Sequence, residues 1–311
     1  MPQTFLDRLQ QGPVLGDGGY FLELERRCLG SYRDGVPLAV LDHPDGVLEL
    51  HREFARAGAE VLQAMTWGVG ASDREEELHR TAVNLAREAA GPDRYVAGTL
   101  SPRFGKSRPQ LSAADRRKVA AFFDRRVDQQ VSAGVDLFII ETFHTVAEAS
   151  VAIPFVKQAG IPAIVTLTYQ ENDVTRDGLS AAEGAKRLVD NGADVVGINC
   201  HRPPHTLLPL ARQVRKAVDV PVCVQPTAYD LEPGTMYNRE IVVPGLWTTV
   251  EPRVLSRFVA AEYAKEAAGI GIDFIGGCCG MLPYHIRAMA DALGKPVTLP
   301  DRKRDYRISD A

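Results

Sequence analysis

The stretch Ala133-Gly134-Val135-Asp136-Leu137-Phe138-Ile139-Ile140-Glu141 sets the pattern of the whole chain. It follows an amphipathic segment, residues 113–133, whose apolar positions recur at helical spacing. A glycine just past such a segment reads as a helix stop. The unbroken apolar run Leu137–Ile140 then reads as a buried parallel strand, closed by a carboxylate at Glu141. Helix, glycine stop, buried strand and polar strand end are therefore packed into one short segment.

The same grammar recurs outward in both directions. Turns of the same type, Ala57-Gly58-Ala59, Asn191-Gly192-Ala193 and Gly269-Ile270-Gly271, each precede another apolar run. Candidate strands lie at residues 13–16, 60–66, 95–100, 136–141, 163–168, 194–200, 221–225 and 273–278. Amphipathic stretches between them include residues 45–57, 75–90, 113–133, 181–191, 207–217 and 252–268. Strands alternating with helices imply a parallel sheet, and both a doubly wound sheet and a closed barrel obey that rule. Eight strand candidates in 311 residues favour the barrel. The expectation is an α/β protein made of a single (β/α)8 TIM barrel over residues 1–300, with its active site at the C-terminal ends of the strands. A short charged C-terminal tail, residues 301–311, is expected to follow. Two longer loops, residues 101–109 and 229–249, stand out.

Composition narrows the partners. A formal net charge of −4 argues against binding nucleic acid through a basic surface. No apolar run reaches the length of a membrane span, and the start of the chain has neither a basic nor an apolar leader region. A cytoplasmic location is the expectation. Five sparsely spread cysteines do not form a secreted disulfide framework and suit ligand or nucleophile roles in a reducing compartment.

The cysteines carry the chemistry. Gly276-Gly277-Cys278-Cys279-Gly280 places two adjacent thiols inside a glycine run. Neighbouring cysteines bond to each other only through a strained ring, whereas both reach one soft metal ion if the backbone is free to bend. In a barrel the eighth strand ends at this pair, the sixth at Cys200 in Asn199-Cys200-His201, the fourth at Glu141 and the first at Asp17. Cys200 is then the third thiolate, one strand away around the ring. Three thiolates on zinc leave one position open, the pattern of a catalytic site. A lone cysteine at a strand end is more often a packed hydrophobe, Asp17 in Asp17-Gly18 also reads as a turn residue, and a vicinal disulfide is the rival reading of Cys278-Cys279. Glu141 at the end of an apolar run would be costly without a cationic or hydrogen-bonding partner. His201 and His205 are further ligand or proton-carrier candidates.

Zinc held by three thiolates is a poor activator of water and suits a substrate thiol, which it keeps deprotonated at neutral pH. Two carboxylates on the same rim suit the ammonium group of an amino-acid thiol such as homocysteine. The chain resembles the homocysteine S-methyltransferase family, in particular its betaine–homocysteine methyltransferase branch. The likeness is carried by Gly16-Asp17-Gly18-Gly19-Tyr20, Leu50-His51-Arg52-Glu53-Phe54, Gly197-Ile198-Asn199-Cys200-His201, Gln225-Pro226, Glu251-Pro252-Arg253, and residues 275–280 with Pro283-Tyr284-His285-Ile286-Arg287. The resemblance implies a zinc ion, Zn2+, on Cys200, Cys278 and Cys279. It also implies that Asp17 and Glu141 hold the homocysteine amino group, with Gly18 and Thr66 helping to place the substrate. Methyl transfer from a small methyl donor to homocysteine, forming methionine, is the implied reaction.

Where the branch surrounds its donor with aromatic rings, this chain has Thr142 after the rim glutamate and only Trp67, followed by Gly68, after the second strand. Trp67 and Thr142 are thus donor-side candidates, and Trp67, Phe143, Tyr169, Tyr237 and Trp247 are candidates for a different cage. The expected donor is a small onium compound, betaine-like or a sulfonium. The branch's long C-terminal extension has no counterpart here, so a smaller homo-oligomer is expected. Two other functions fit the cysteines: a methyl-transfer module working with a corrinoid carrier protein, and a redox-sensing thiol barrel.

Overall fold

The computed structural model describes residues 3–30, 38–68, 73–104, 110–169, 172–230 and 253–298. The tail at 301–311 and most of the loop at 229–249 lie outside the described residues. Helix α6 (Ala113–Ala133) opens with a reciprocal capping box between Ser112 and Asp115 and ends at Gly134, whose φ of 95° is left-handed. Strand β4 (Leu137–Phe143) follows at once. The other three glycine turns behave alike, with φ of 105° at Gly58, 95° at Gly192 and 80° at Gly271. These are positions where a Cβ would be strained.

The remaining strands are β1 (Val14–Leu15), β2 (Val61–Gln63), β3 (Tyr95–Leu100), β5 (Ala163–Leu167), β6 (Val195–Asn199), β7 (Val222–Gln225) and β8 (Phe274–Ile275). All pair in parallel, in the order β1-β8-β7-β6-β5-β4-β3-β2. A parallel bridge between Gly16 and Val61 joins the two ends, and the Glu60 N–H donates to the Leu15 carbonyl at 2.7 Å, completing the ring. The fold is the expected (β/α)8 barrel, and the doubly wound alternative is excluded by this closure.

Helices α4 (Pro44–Arg56), α5 (Glu75–Ala90), α8 (Ala181–Asp190), α9 (Pro204–Ala217) and α10 (Arg257–Gly269) match amphipathic stretches read from the sequence. Five more complete the set: α1 (Phe5–Leu9), α2 (Phe21–Arg26), α3 (Ala39–Asp42), α7 (Val146–Gln158) and α11 (Pro283–Ala292). The expected strands at both ends were too long. Ala64 and Gly276 each still donate one N–H to a neighbouring strand. Residues 65–66 and 277–278 leave the sheet to form the rim, where the N–H groups of Thr66, Gly277 and Cys278 go to the carbonyls of Ala64, Asp17 and Pro226.

Two apolar layers hold the barrel. The larger one lies between strands and helices. The smaller fills the lower interior with Val14, Val61, Leu137, Ile139, Ile164 and Phe274, and α1 plugs it from below with Phe5 and Leu9. No helix among the described residues is long and apolar enough to cross a membrane.

Candidate active site

Strand β7 is the template for the thiol cluster. At its end, the Gln225 carbonyl accepts the Cys200 N–H at 2.9 Å and the next carbonyl, that of Pro226, accepts the Cys278 N–H at 2.8 Å. The Ala228 N–H donates to the Cys279 carbonyl at 2.9 Å. Two distant segments are thus hung from one short run between them. Cys200 takes a left-handed φ of 59°, and His201 one of 57°. In the glycine run, only Gly280 is left-handed, at φ 80°. Gly277 serves close packing, since a Cβ there would collide with the Met281 side chain. The glycines therefore work mainly by leaving room, and less by bending the chain than their number suggested.

The three sulfurs converge. Cys200 Sγ is 3.8 Å from Cys279 Sγ, Cys278 Sγ is 3.9 Å from Cys279 Sγ, and all three lie within 4.8 Å of one another. A tetrahedral ion with metal–sulfur bonds of about 2.3 Å separates its sulfurs by about 3.8 Å, so the donor set fits such an ion in both chemistry and spacing. None of the three is in a disulfide, so the adjacent pair is not bonded to itself. The neighbouring sulfurs of Cys200 and Cys279, with burial behind them, push the Cys278 thiol well up. Cys223 is buried in the lower interior and takes no part.

Asp17 and Glu141 occupy the same mouth, both buried. One oxygen of Asp17 accepts the Tyr20 hydroxyl at 2.5 Å and the Gln63 N–H at 2.7 Å. Tyr20 is backed in turn by His51 Nδ1 at 2.8 Å. Glu141 accepts from Gln63 Nε2 at 2.6 Å and from Asn199 Nδ2 at 2.9 Å. Among the described residues, the partner that the buried Glu141 required is thus a pair of amides. Burial raises Asp17 to about 7, against the lowering effect of its hydrogen bonds. Burial likewise raises Glu141 to about 8, with the Cys279 and Asp17 charges adding to the rise. Two buried carboxylates without a counter-charge are what an incoming cation would relieve.

The other expected site residues fall out unevenly. Gly18 sits so close to the Met281 carbonyl that a side chain would collide with it. Thr66 spends its hydroxyl on the Thr99 carbonyl and Gln130, and its N–H on the Ala64 carbonyl. Thr142 is left-handed, at φ 62°, and is held by Asn199. Trp67 is half-buried with its ring edge-on to Phe21 at 6.0 Å. Of the wider cage, Phe143 packs with Phe123 in the core and Tyr169 is buried against Gly184 of α8. Their rings belong to the layer outside the barrel, which corrects their assignment to a cage. Tyr237 and Trp247 lie outside the described residues. His205 is exposed on α9, and His201 faces His144 at 5.8 Å between ring centres. Among the described residues, the three cysteines are the group of His, Cys, Asp and Glu side chains found close enough to hold one metal ion. Gln63, Asn199, Tyr20 and Phe21 escaped the sequence reading. The first two lie inside strand candidates at inward positions, and that parity was the available signal.

A (β/α)8 barrel with a three-thiol cluster and two buried carboxylates at its C-terminal mouth defines a class of thiol-handling barrel enzyme. The profile of the family described as homocysteine S-methyltransferase matches residues 14–293, and the chain belongs to that family. A betaine–homocysteine S-methyltransferase 1 from Danio rerio is 37% identical over 305 residues, covering 93% of this chain and 75% of the relative. An S-methylmethionine–homocysteine S-methyltransferase from Pongo abelii is 33% identical over 300 residues, covering 93% of this chain and 80% of the relative. The apo crystal structure of the homocysteine methyltransferase MmuM from Escherichia coli has the same fold, with a TM-score of 0.71 at 22% identity, covering 93% of this chain and 98% of that one. The chain is a methyltransferase acting on homocysteine, which sets aside the reading as a non-enzymatic sensor.

Proposed function

We propose that the chain binds one zinc ion through Cys200, Cys278 and Cys279 and moves a methyl group from a small onium donor to the sulfur of homocysteine, forming methionine. The observation that carries the reading is the convergence of three sulfurs at tetrahedral spacing beside two buried, cation-seeking carboxylates. Zinc bound there supplies the positive charge that keeps a substrate thiol deprotonated at neutral pH.

The chain's own residues do the rest. Asp17 and Glu141 take the substrate ammonium between them, and its charge returns both carboxyls to their ionised forms. Tyr20, Gln63 and Asn199 already occupy the rear of the two carboxylates, so the remaining lone pairs face the substrate. Gly18 lets the turn after Asp17 pack directly against the Met281 carbonyl, which fixes the carboxylate's place at the mouth. The fixed amino-acid end then sets the direction from which the sulfur meets the donor, which is the proximity contribution to the rate. A carbon–sulfur bond forms to homocysteine as the bond from methyl to the donor's nitrogen or sulfur breaks. The departing electron pair neutralises the onium atom. On the donor side, Trp67 with Phe21 offers an aromatic face suited to an onium charge, and Thr142 leaves the opposite side narrower in aromatic surface.

Cys200→Ala tests the metal assignment: bound zinc and methionine formation should both disappear, and a variant that kept full zinc and turnover would refute it. A panel of betaine, S-methylmethionine and dimethylsulfoniopropionate, with methionine as readout, identifies the donor. No turnover with any onium compound would favour a methylated carrier protein instead.

A further inference from the structure

We propose that Asn199, the residue before Cys200, is the positioning residue that aims the Glu141 carboxylate and ties the amino-acid end of the site to its thiolate end. The inference rests on the reading that Glu141 holds the substrate ammonium. It begins in the pairing of β4 with β5. Ile140 pairs with Val165 and Phe143 with Leu167, so Glu141 and Thr142 together face the single residue Thr166. Two residues opposite one is a bulge, a device that redirects a side chain. The bulge puts Thr142 at φ 62°. A β-branched residue in that region is a strained outlier that persists only where its surroundings hold it.

Asn199 is what holds it. Its Oδ1 accepts the Thr142 N–H at 2.9 Å and the Thr166 hydroxyl at 2.9 Å. Its Nδ2 donates to Thr142 Oγ1 at 2.8 Å and to Glu141 Oε2 at 2.9 Å. An amide has two acceptor and two donor positions, and all four are filled. The orientation is unambiguous, because the Thr142 N–H can only donate and must meet the oxygen. The NH2 group is thereby forced to face Glu141. On the other side, Gln63 Nε2 grips Oε1 at 2.6 Å, so the carboxylate is clamped between two amides. Asn199 is fully buried and has no hydrogen-bonding capacity left for the substrate. Its influence on the reaction passes through Glu141, and its backbone leads directly into the left-handed Cys200.

The test compares Asn199→Asp with the unsubstituted enzyme. Aspartate keeps the shape and both accepting contacts while placing an oxygen opposite Glu141. The KM for homocysteine should rise roughly ten- to a hundredfold, with kcat at saturation and bound metal per chain little changed. The inhibition constant of 4-mercaptobutyrate, which is homocysteine without its amino group, should stay within about twofold, because that thiol makes no demand on Glu141. A double variant with Glu141→Gln should be no worse for homocysteine than Glu141→Gln alone. Equal losses for both thiols, additive losses in the double variant, or loss of metal would each overturn the proposal and leave Asn199 a structural residue. If Glu141→Gln itself leaves KM unchanged, the ammonium reading falls, and this inference falls with it. Asn199→Ala in a Thr142→Gly background is the second variant. Glycine accepts the left-handed backbone without help, so the chain should fold and still show the KM defect; a normal KM there would refute the proposal.

Discussion

The lower and upper halves of the barrel interior are built from the same strands, two residues apart. Ile139 and Glu141, Ile164 and Thr166, Cys223 and Gln225, and Ala97 and Thr99 are successive inward-facing positions on four strands. Side chains alternate across a strand with period two, so a step of two residues keeps the same direction and changes only the chemistry. The lower layer is apolar and plugged by Phe5 and Leu9, and its one thiol, Cys223, donates upward to Gln225 Oε1 at 3.4 Å. The upper layer is a hydrogen-bonded set of carboxylates, amides and hydroxyls that lies buried beneath the thiols. One half stabilises by excluding water. The other holds charged groups in place at a cost to stability, which is the division between the two faces seen throughout this fold.

Substitutions in the two halves should therefore separate stability from substrate binding. The largest effect is expected below. Phe5→Ala should cost about 3–5 kcal/mol in denaturant unfolding, by opening a cavity under the barrel, with the homocysteine KM of the folded fraction unchanged. A raised KM would mean that the two halves are mechanically coupled. Next comes the upper layer, where Asp17→Asn should raise the homocysteine KM roughly ten- to a hundredfold by removing a charged partner of the ammonium. Its stability should not fall, and a loss comparable to that of Phe5→Ala would break the comparison.

The pH dependence of stability sharpens it further. Asp17 and Glu141 are raised to about 7 and about 8 in the folded protein, so the folded state retains protons that the unfolded chain releases. Stability contributed by them declines as pH rises through those values. Burial lowers His51 to about 3, so its contribution runs the other way and is lost as pH falls below 6.5. Burial also lowers His285, and His79 to about 4, and both act in the same sense as His51. Above pH 6.5 the decline set by the carboxylates outweighs what remains of the histidine contribution. With metal content held constant, the substrate-free protein should lose on the order of 1–2 kcal/mol between pH 6.5 and 8, and saturating homocysteine should abolish the decline. A flat profile without substrate would remove the case for cation-seeking carboxylates. The smallest effect belongs to neither half. Ser112→Ala, at the capping box of α6, should cost about 1 kcal/mol and leave kinetics untouched.

Much of the site was legible because its strongest residues sit where the chain's rhythm breaks. Glu141 stands out at the end of an apolar run, Cys200 at the end of another, and the paired thiols inside glycines. Gln63 and Asn199 were not legible in the same way. An amide inside a strand has no marked chemistry of its own, and its role depends on which carboxylate a neighbouring strand brings opposite. The cage assignment of Phe143 and Tyr169 failed for a related reason. The bulge after Ile140 and the turn after β5 decide which way those rings face, and their sequence positions do not. The plug formed by α1 is also a tertiary fact, since five residues carry little periodicity.

By itself, the sequence determined the alternation of helix and buried strand, the glycine stops, and the three thiols and two carboxylates at strand ends. These follow from local patterning and from the rule that strand ends of a barrel share one face. Only the tertiary structure decided the rest: the 3.8 Å approach of Cys200 to Cys279, the hanging of both cysteine segments from β7, and the bulge that turns Glu141 into the mouth. Those are set by hydrogen bonds between residues dozens of positions apart. Such contacts exist only once the ring has closed.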